Sequence, residues 1–316
     1  MKRLAPLLVC IAAAACASAG DEPVAAGGGW TVYAPAAQTS AVPGLAAFVD
    51  PPRHPTHPAR NRQLLISSHG KEMNALFLLA AGEGPKPTML LLHGLPGNER
   101  NFDLAQAVRR AGWNVLTFSY RGAWGSQGIF SIQHAIDDAR AAMAFLRTPQ
   151  AVHDYGIDAD RLVVAGHSMG GFAAAATAAA DPGLAGLILL DAWDIGDTAA
   201  QVREAGAAGR EAFIASFDDL GHALGPITAA DLADELARRG ENWQLDRLAP
   251  SLSGKAILTI YATHGIAAEN RAFADSLRQG PNARVTAVEM DTDHAFADHR
   301  IALALEVVRW LQTLER

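Results

Sequence analysis

From Gln63 onward, short and nearly unbroken apolar runs alternate with longer stretches of helical period. Thr88–Leu92, Trp113–Ser119, Leu162–Ala165, Leu184–Leu190, Ala256–Tyr261 and Arg284–Met290 predict strands. These runs lack the polar–apolar alternation of a half-exposed sheet, so both faces of each strand must be covered, as in a mainly parallel sheet. Between them, Asn101–Ala111, Ile132–Leu146, Met169–Ala180, Ala268–Arg278 and Ala297–Leu314 predict helices. Ahead of the series, Gln63–Ser68 and Ala75–Ala80 flank Gly70-Lys71-Glu72-Met73-Asn74 and predict an antiparallel hairpin. The order is that of an α/β domain, whose functional groups gather on loops at the carboxyl ends of the strands.

The alternation breaks between Trp193 and Gly254. That stretch predicts helices at Thr198–Arg210, Glu211–Phe217 and Ala229–Arg239. It is too long for a simple crossover, and we expect a small helical cap (193–254) inserted before the penultimate strand. The other irregular region is N-terminal. Lys2 and Arg3 precede an apolar run, Leu4–Ala15, that is too short to span a bilayer, and Ala17-Ser18-Ala19 follows. This predicts a secretory signal over residues 1–19, cleaved after Ala19, hence a periplasmic or secreted protein. A rival route would lipidate Cys16 and leave an N-terminal lipid anchor. Residues 20–62, rich in Ala, Pro and Gly, predict an extended leader ahead of a domain over 63–316.

Composition narrows the partners. Half of the 316 residues are hydrophobic, enough for one large core. A formal net charge of −7 argues against nucleic acid, because no basic stripe exists to neutralise phosphates. Both cysteines, Cys10 and Cys16, fall in the predicted signal, so the mature chain has no internal disulfide. His54 and His57 sit among prolines without a further ligand cluster and predict a solvated loop rather than a metal site.

The chemistry centres on Gly166-His167-Ser168-Met169-Gly170, a strand running into a helix of small residues. In such a nucleophile elbow the serine occupies a sharp strand-to-helix turn that only flanking glycines tolerate. A serine nucleophile needs a base, and His294, just past the last predicted strand, is the candidate. His299 falls in the closing helix, and His167 points away from the attack face. Leu90-Leu91-Leu92-His93-Gly94-Leu95 ends a strand in a tight turn. The Leu95 and Met169 N–H groups are the candidate oxyanion hole, each such donor being worth roughly 2.7–4 kcal/mol in the transition state.

The order His93-Gly94, Tyr120-Arg121-Gly122-Ala123-Trp124-Gly125-Ser126, Gly166–Gly171 and Asp293-His294 resembles the α/β-hydrolase superfamily, and more narrowly its prolyl-oligopeptidase-like and dienelactone-hydrolase-like esterase branches. The resemblance implies an α/β-hydrolase fold over Gln63–Leu314 and a serine esterase that needs neither metal nor organic cofactor. One position departs from it. The family's orienting acid usually follows the penultimate strand, but that phrase here reads Tyr261-Ala262-Thr263-His264-Gly265-Ile266, with Gly265 in the carboxylate's place. The resemblance also admits an acid one strand earlier, which points to Asp191, with Asp194 and Glu269 as alternatives. Trp124, Trp193, Phe213, Phe217 and Trp243 are candidate pocket walls, and Arg121 and Ser126 candidate shapers of the loop beside the oxyanion hole.

The sequence therefore predicts a serine hydrolase that cleaves small carboxylic esters through an acyl-enzyme, with amide hydrolysis and acyl transfer as variants of the same machinery. A catalytically silent fold that binds a ligand is the rival, motivated by Gly265.

Overall fold

The computed structural model describes residues 44–217, 220 and 222–314, together with a short antiparallel pairing of Ala25–Ala26 with Trp30–Thr31. The predicted signal, the cleavage after Ala19, and Cys10 and Cys16 lie outside the described residues.

Eight strands form one sheet: β1 (Arg60–Ser68), β2 (Lys71–Leu79), β3 (Lys86–Leu92), β4 (Asn114–Phe118), β5 (Ile157–His167), β6 (Gly186–Leu190), β7 (Ala256–His264) and β8 (Arg284–Asp293). Their spatial order is β1-β2-β4-β3-β5-β6-β7-β8. The hairpin is antiparallel and β2 pairs antiparallel with β4, while β4 through β8 are parallel neighbours. The helices are α1 (Phe102–Arg110), α2 (Ile132–Leu146), α3 (Pro149–Tyr155), α4 (Met169–Ala180), α5 (Ile195–Ala215), α6 (Ala229–Arg239), α7 (Ala249–Leu252), α8 (Ala267–Arg278) and α9 (Arg300–Thr313).

Burial explains the unbroken apolar runs. Alternate residues of the central strands feed two separate cores. Leu90, Leu92, Leu162, Val164, Leu187 and Leu189 face one core with α2 and α4. Met89, Leu91, Val163, Ala165, Ile188 and Leu190 face the other with α1 and α9. Each fully buried Val, Leu, Ile or Met side chain among these is worth roughly 1.5–3 kcal/mol. Helix α4 has no polar stripe because it is covered all round, with Met169–Ala178 buried throughout.

The structure departs from the predicted elements in several places, among them an unpredicted short α7 and a β5 that begins at Ile157 rather than Leu162. The hairpin turn is only His69-Gly70, both at positive φ, so Lys71–Asn74 belong to β2 rather than to a loop, and β1 starts at Arg60. Helix α3 was not predicted; Thr148 caps it and Pro149 opens it. The last helix starts at Arg300, not Ala297, because Asp293–His299 form turns. The two helices predicted at 198–217 form one element, α5, broken at Gly206 (φ 62°, ψ −134°).

Between β6 and β7 the chain forms α5, α6 and α7. Glu235 of α6 is buried and accepts from the Ile132 and Gln133 N–H groups, the otherwise unpaired N-terminus of α2. Gly44–Ala47 docks on α1 and α9, where Gly44 N–H donates to Gln312 and Arg110 donates to the Ala46 carbonyl.

Candidate active site

Ser168 sits between β5 and α4 at φ 57°, ψ −123°. That left-handed conformation is strained for a residue with a Cβ, and it persists only where surrounding structure enforces it. The neighbours supply the enforcement. A Cβ on Gly166 would lie 2.0 Å from the Gly170 carbonyl oxygen, and one on Gly170 would lie 2.5 Å from the Leu92 and His93 oxygens. Ser168 N–H donates to Leu190 O, and Trp193 N–H donates to Ser168 O, both at 3.0 Å. The serine side chain makes no cap bond to its own helix, so its hydroxyl is not spent on α4.

Asp191 and His294 are brought together. His294 Nδ1–H donates to Asp191 Oδ2 at 2.6 Å. The Asp191 carboxylate has no exposed surface, whereas the His294 side chain is 42% exposed. The carboxylate is held by two backbone amides from the exit of β7: Ala262 N–H donates to Oδ1 at 3.1 Å and Ile266 N–H to Oδ2 at 3.2 Å. Asp191 is itself at positive φ (41°), and its N–H donates to Ile260 O. Asn270, buried in α8, grips the next residue from both sides, accepting from Ala192 N–H and donating to Ala192 O, each at 3.0 Å. Sequence reasoning missed Asn270. Its signal was a lone amide on the apolar face of an amphipathic helix.

Asp194 and Glu269 are not brought to His294. Asp194 caps α5, accepting from Asp197 N–H, and it also accepts from Leu245 N–H. Desolvation raises its carboxyl above the usual carboxylate range. Glu269 lies in the first turn of α8, beside Asp194, Asp197 and Asp246. Four carboxylates there disfavour a further negative charge.

Leu95 follows His93 and Gly94 at the end of β3. A Cβ on Gly94 would lie 2.9 Å from Ser168 Cβ, so this turn lies directly against the serine. Met169 N–H is the first amide of α4, one of the helix's orphan donors. Tyr120 donates to His93 O at 3.0 Å, and His93 Nδ1–H donates to Gly94 O at 2.7 Å. Burial holds His93 neutral, with its pKa lowered to about 4.

His167 is buried and donates from Nε2 to the His294 carbonyl at 2.8 Å. It too is kept neutral by burial, its pKa lowered to about 4. Its side chain therefore reaches the backbone of the candidate base. His299 occupies the N-cap position of α9 without a side-chain capping bond and pairs with Asp298, so it lies just ahead of the closing helix rather than within it. The Arg121 guanidinium forms a buried ion pair with Asp138, and Ser126 donates to Ser119 O while accepting from Asn74 N–H. Both thus fasten the loop after β4. Among the aromatic candidates, Phe213 and Trp243 are core residues. Trp193 and Phe217 pack partly buried against that core. Trp124 is exposed, donates to Pro96 O at 2.8 Å, and stacks under the Arg100 guanidinium. Among the described residues no cluster of three or more His, Cys, Asp or Glu side chains could hold a metal ion. No helix among them is long and apolar enough to cross a membrane.

The sheet order and the elbow define an α/β-hydrolase fold. A family model described as "Alpha/beta hydrolase family" matches residues 89–307, and the chain belongs to that family. Two curated relatives are similar over part of their length. The alpha/beta hydrolase domain-containing protein WAV2 of Arabidopsis thaliana is 31% identical over 159 residues, 48% of this chain and 48% of that protein. The quorum-quenching protein AidA of Acinetobacter baumannii (strain MDR-ZJ06) is 32% identical over 129 residues, 39% of this chain and 41% of that protein. The chain thus matches less than half the length of either. Among solved structures, a fungal esterase from Rhizomucor miehei superposes with a TM-score of 0.58 at 18% identity, covering 82% of this chain and 84% of that one.

Proposed function

We propose that this protein is a serine hydrolase of carboxylic esters. Ser168 attacks the ester carbonyl and His294 takes the serine proton. The Leu95 and Met169 N–H groups bind the developing oxyanion. His294 then protonates the departing alcohol, and water, activated by the same histidine, releases the acyl group. Asp191 keeps the ring in the Nδ1–H tautomer, so that Nε2 faces the serine as a base, and it stabilises the imidazolium. The observation that carries this reading is the 2.6 Å bond from His294 to a fully buried carboxylate beside a strained serine. The esterase among the structural neighbours and the family membership support it. An amide substrate, or an alcohol in place of water, would use the same residues.

The silent-fold rival rested on Gly265. That residue now has another explanation, because the Asp191 carboxylate occupies the space a side chain there would need. Reaction with a fluorophosphonate probe tests the proposal: wild type is labelled and Ser168→Ala is not. Absence of labelling in folded wild type, or labelling that persists in Ser168→Ala, defeats it. We further propose export through the N-terminal segment. N-terminal sequencing of the mature chain would return Gly20 for simple cleavage, or a lipid-modified Cys16 for the rival route.

A further inference from the structure

We propose that His167, the residue before the nucleophile, is a positioning residue that sets where His294 stands, acting as a neutral Nε2–H donor to the base's own carbonyl. The inference rests on the hydrolase reading above and adds a member to its machinery.

Three observations carry it. The first is the bond itself, Nε2 to His294 O at 2.8 Å, made by a side chain that is 5% exposed. The second is the backbone on either side. His167 ends β5, is paired with Leu190 and directly precedes Ser168, so its backbone is held within the sheet. His294 follows the irregular end of β8, where the register with β7 shifts between Met290 and Asp293. The bond therefore ties the turn that carries His294 to the strand end that precedes Ser168. The third is the other ring nitrogen. Among the described residues the buried His167 Nδ1 has no hydrogen-bond partner, so the single proton of the neutral ring is the one given to His294.

The charge environment requires the same protonation state. The His167 and His294 rings lie 4.7 Å apart at 38°, with Phe296 6.4 Å from His167 on the same side. Arg300 adds positive potential and Asp191 negative, while His93 is itself held neutral by burial. When His294 becomes an imidazolium during turnover, a second cation at this distance would oppose it. Burial keeps His167 uncharged at working pH.

The test compares His167→Leu, which removes the donor, with His167→Gln, whose amide nitrogen can reach the place of Nε2. Three quantities are read: fluorophosphonate labelling rate, kcat and KM on a p-nitrophenyl ester, and long-range ¹H–¹⁵N imidazole spectra of the free protein. We expect His167→Leu to lower kcat and the labelling rate about 10- to 100-fold, with KM changed less than about threefold. His167→Gln should recover most of the loss. In wild-type spectra His167 stays neutral with its proton on Nε2 from pH 5 to 8. A His167 that carries its proton on Nδ1, or that titrates in this range, overturns the proposal. So does a His167→Leu enzyme with wild-type kcat, or one no worse than His167→Gln. The spectra need no turnover, so wild type that resists labelling defeats the hydrolase reading and still leaves the tether decided by the imidazole signals.

Discussion

A Cβ built on Gly265 would lie 2.1 Å from Asp191 Oδ2, so the glycine and the aspartate share one small volume. Gly265→Ala must displace the carboxylate from His294, and we expect kcat to fall at least about 100-fold while the fold survives. Gly265→Asp should be worse alone, with two carboxylates competing for one place. The paired change Asp191→Ala/Gly265→Asp should recover part of the loss, as measured by p-nitrophenyl ester turnover. Asp191→Asn should lower turnover by about 10⁴-fold, the cost of losing the tautomer-setting acid in comparable triads. Asp194→Asn should leave turnover within a few-fold, since Asn is also a good N-cap. Equal effects of the two substitutions would refute the assignment. Ser168 and its flanking glycines stand out in the sequence because the motif encodes its own steric requirement, and His294 by its place just past the last strand. The acid was only narrowed to Asp191, Asp194 and Glu269. Choosing among them requires knowing that the β7 exit turns its Ala262 and Ile266 amides toward β6, and no local pattern encodes that.

At the scale of elements, Glu235 joins the segment between β6 and β7 to the body of the domain. Its carboxylate accepts from the first two amides of α2 across 103 and 102 positions of sequence. Glu235→Ala would strip those donors of their partner inside a buried contact and cost about 1–3 kcal/mol. Glu235→Gln, which keeps an acceptor but loses the charge, should cost less. Urea unfolding of the two variants measures the difference, and an unchanged midpoint in Glu235→Ala would exclude the tie. The strands and most helices were readable from apolar runs and helical period, because the two cores impose them residue by residue. What escaped was set by geometry rather than composition. The two-residue turn at His69-Gly70 and the short α3 depend on left-handed backbone at His69, Gly70 and Gly156. The partner of Glu235 depends on where α6 lies in space.

For the molecule as a whole, the two buried histidines make stability depend on pH. His93 and His167 have pKa values lowered to about 4, against an ordinary value of 6.5. Above pH 6.5 both are neutral folded or unfolded and neither favours either state. Between pH 6.5 and 4 the unfolded chain takes up the two protons and the folded one does not, so acidification favours unfolding. Each histidine withdraws up to roughly 3 kcal/mol across that window. Urea midpoints should be level from pH 8 to 7 and then fall toward pH 4, and His167→Gln should make the fall shallower. A midpoint that stays level down to pH 4.5 would contradict the buried neutral state.

The two hydrogen bonds on the Ser168 backbone carry one more implication. Its N–H bonds Leu190 O and its C=O accepts from Trp193, residues on either side of Asp191. The proposed nucleophile and acid are consequently joined to one short rung of main chain. The separation between them is nearly a constant of the fold. The proposed base is joined to that rung at two points, its ring to the Asp191 carboxylate and its own carbonyl to His167, so all three residues are referred to one stretch of backbone.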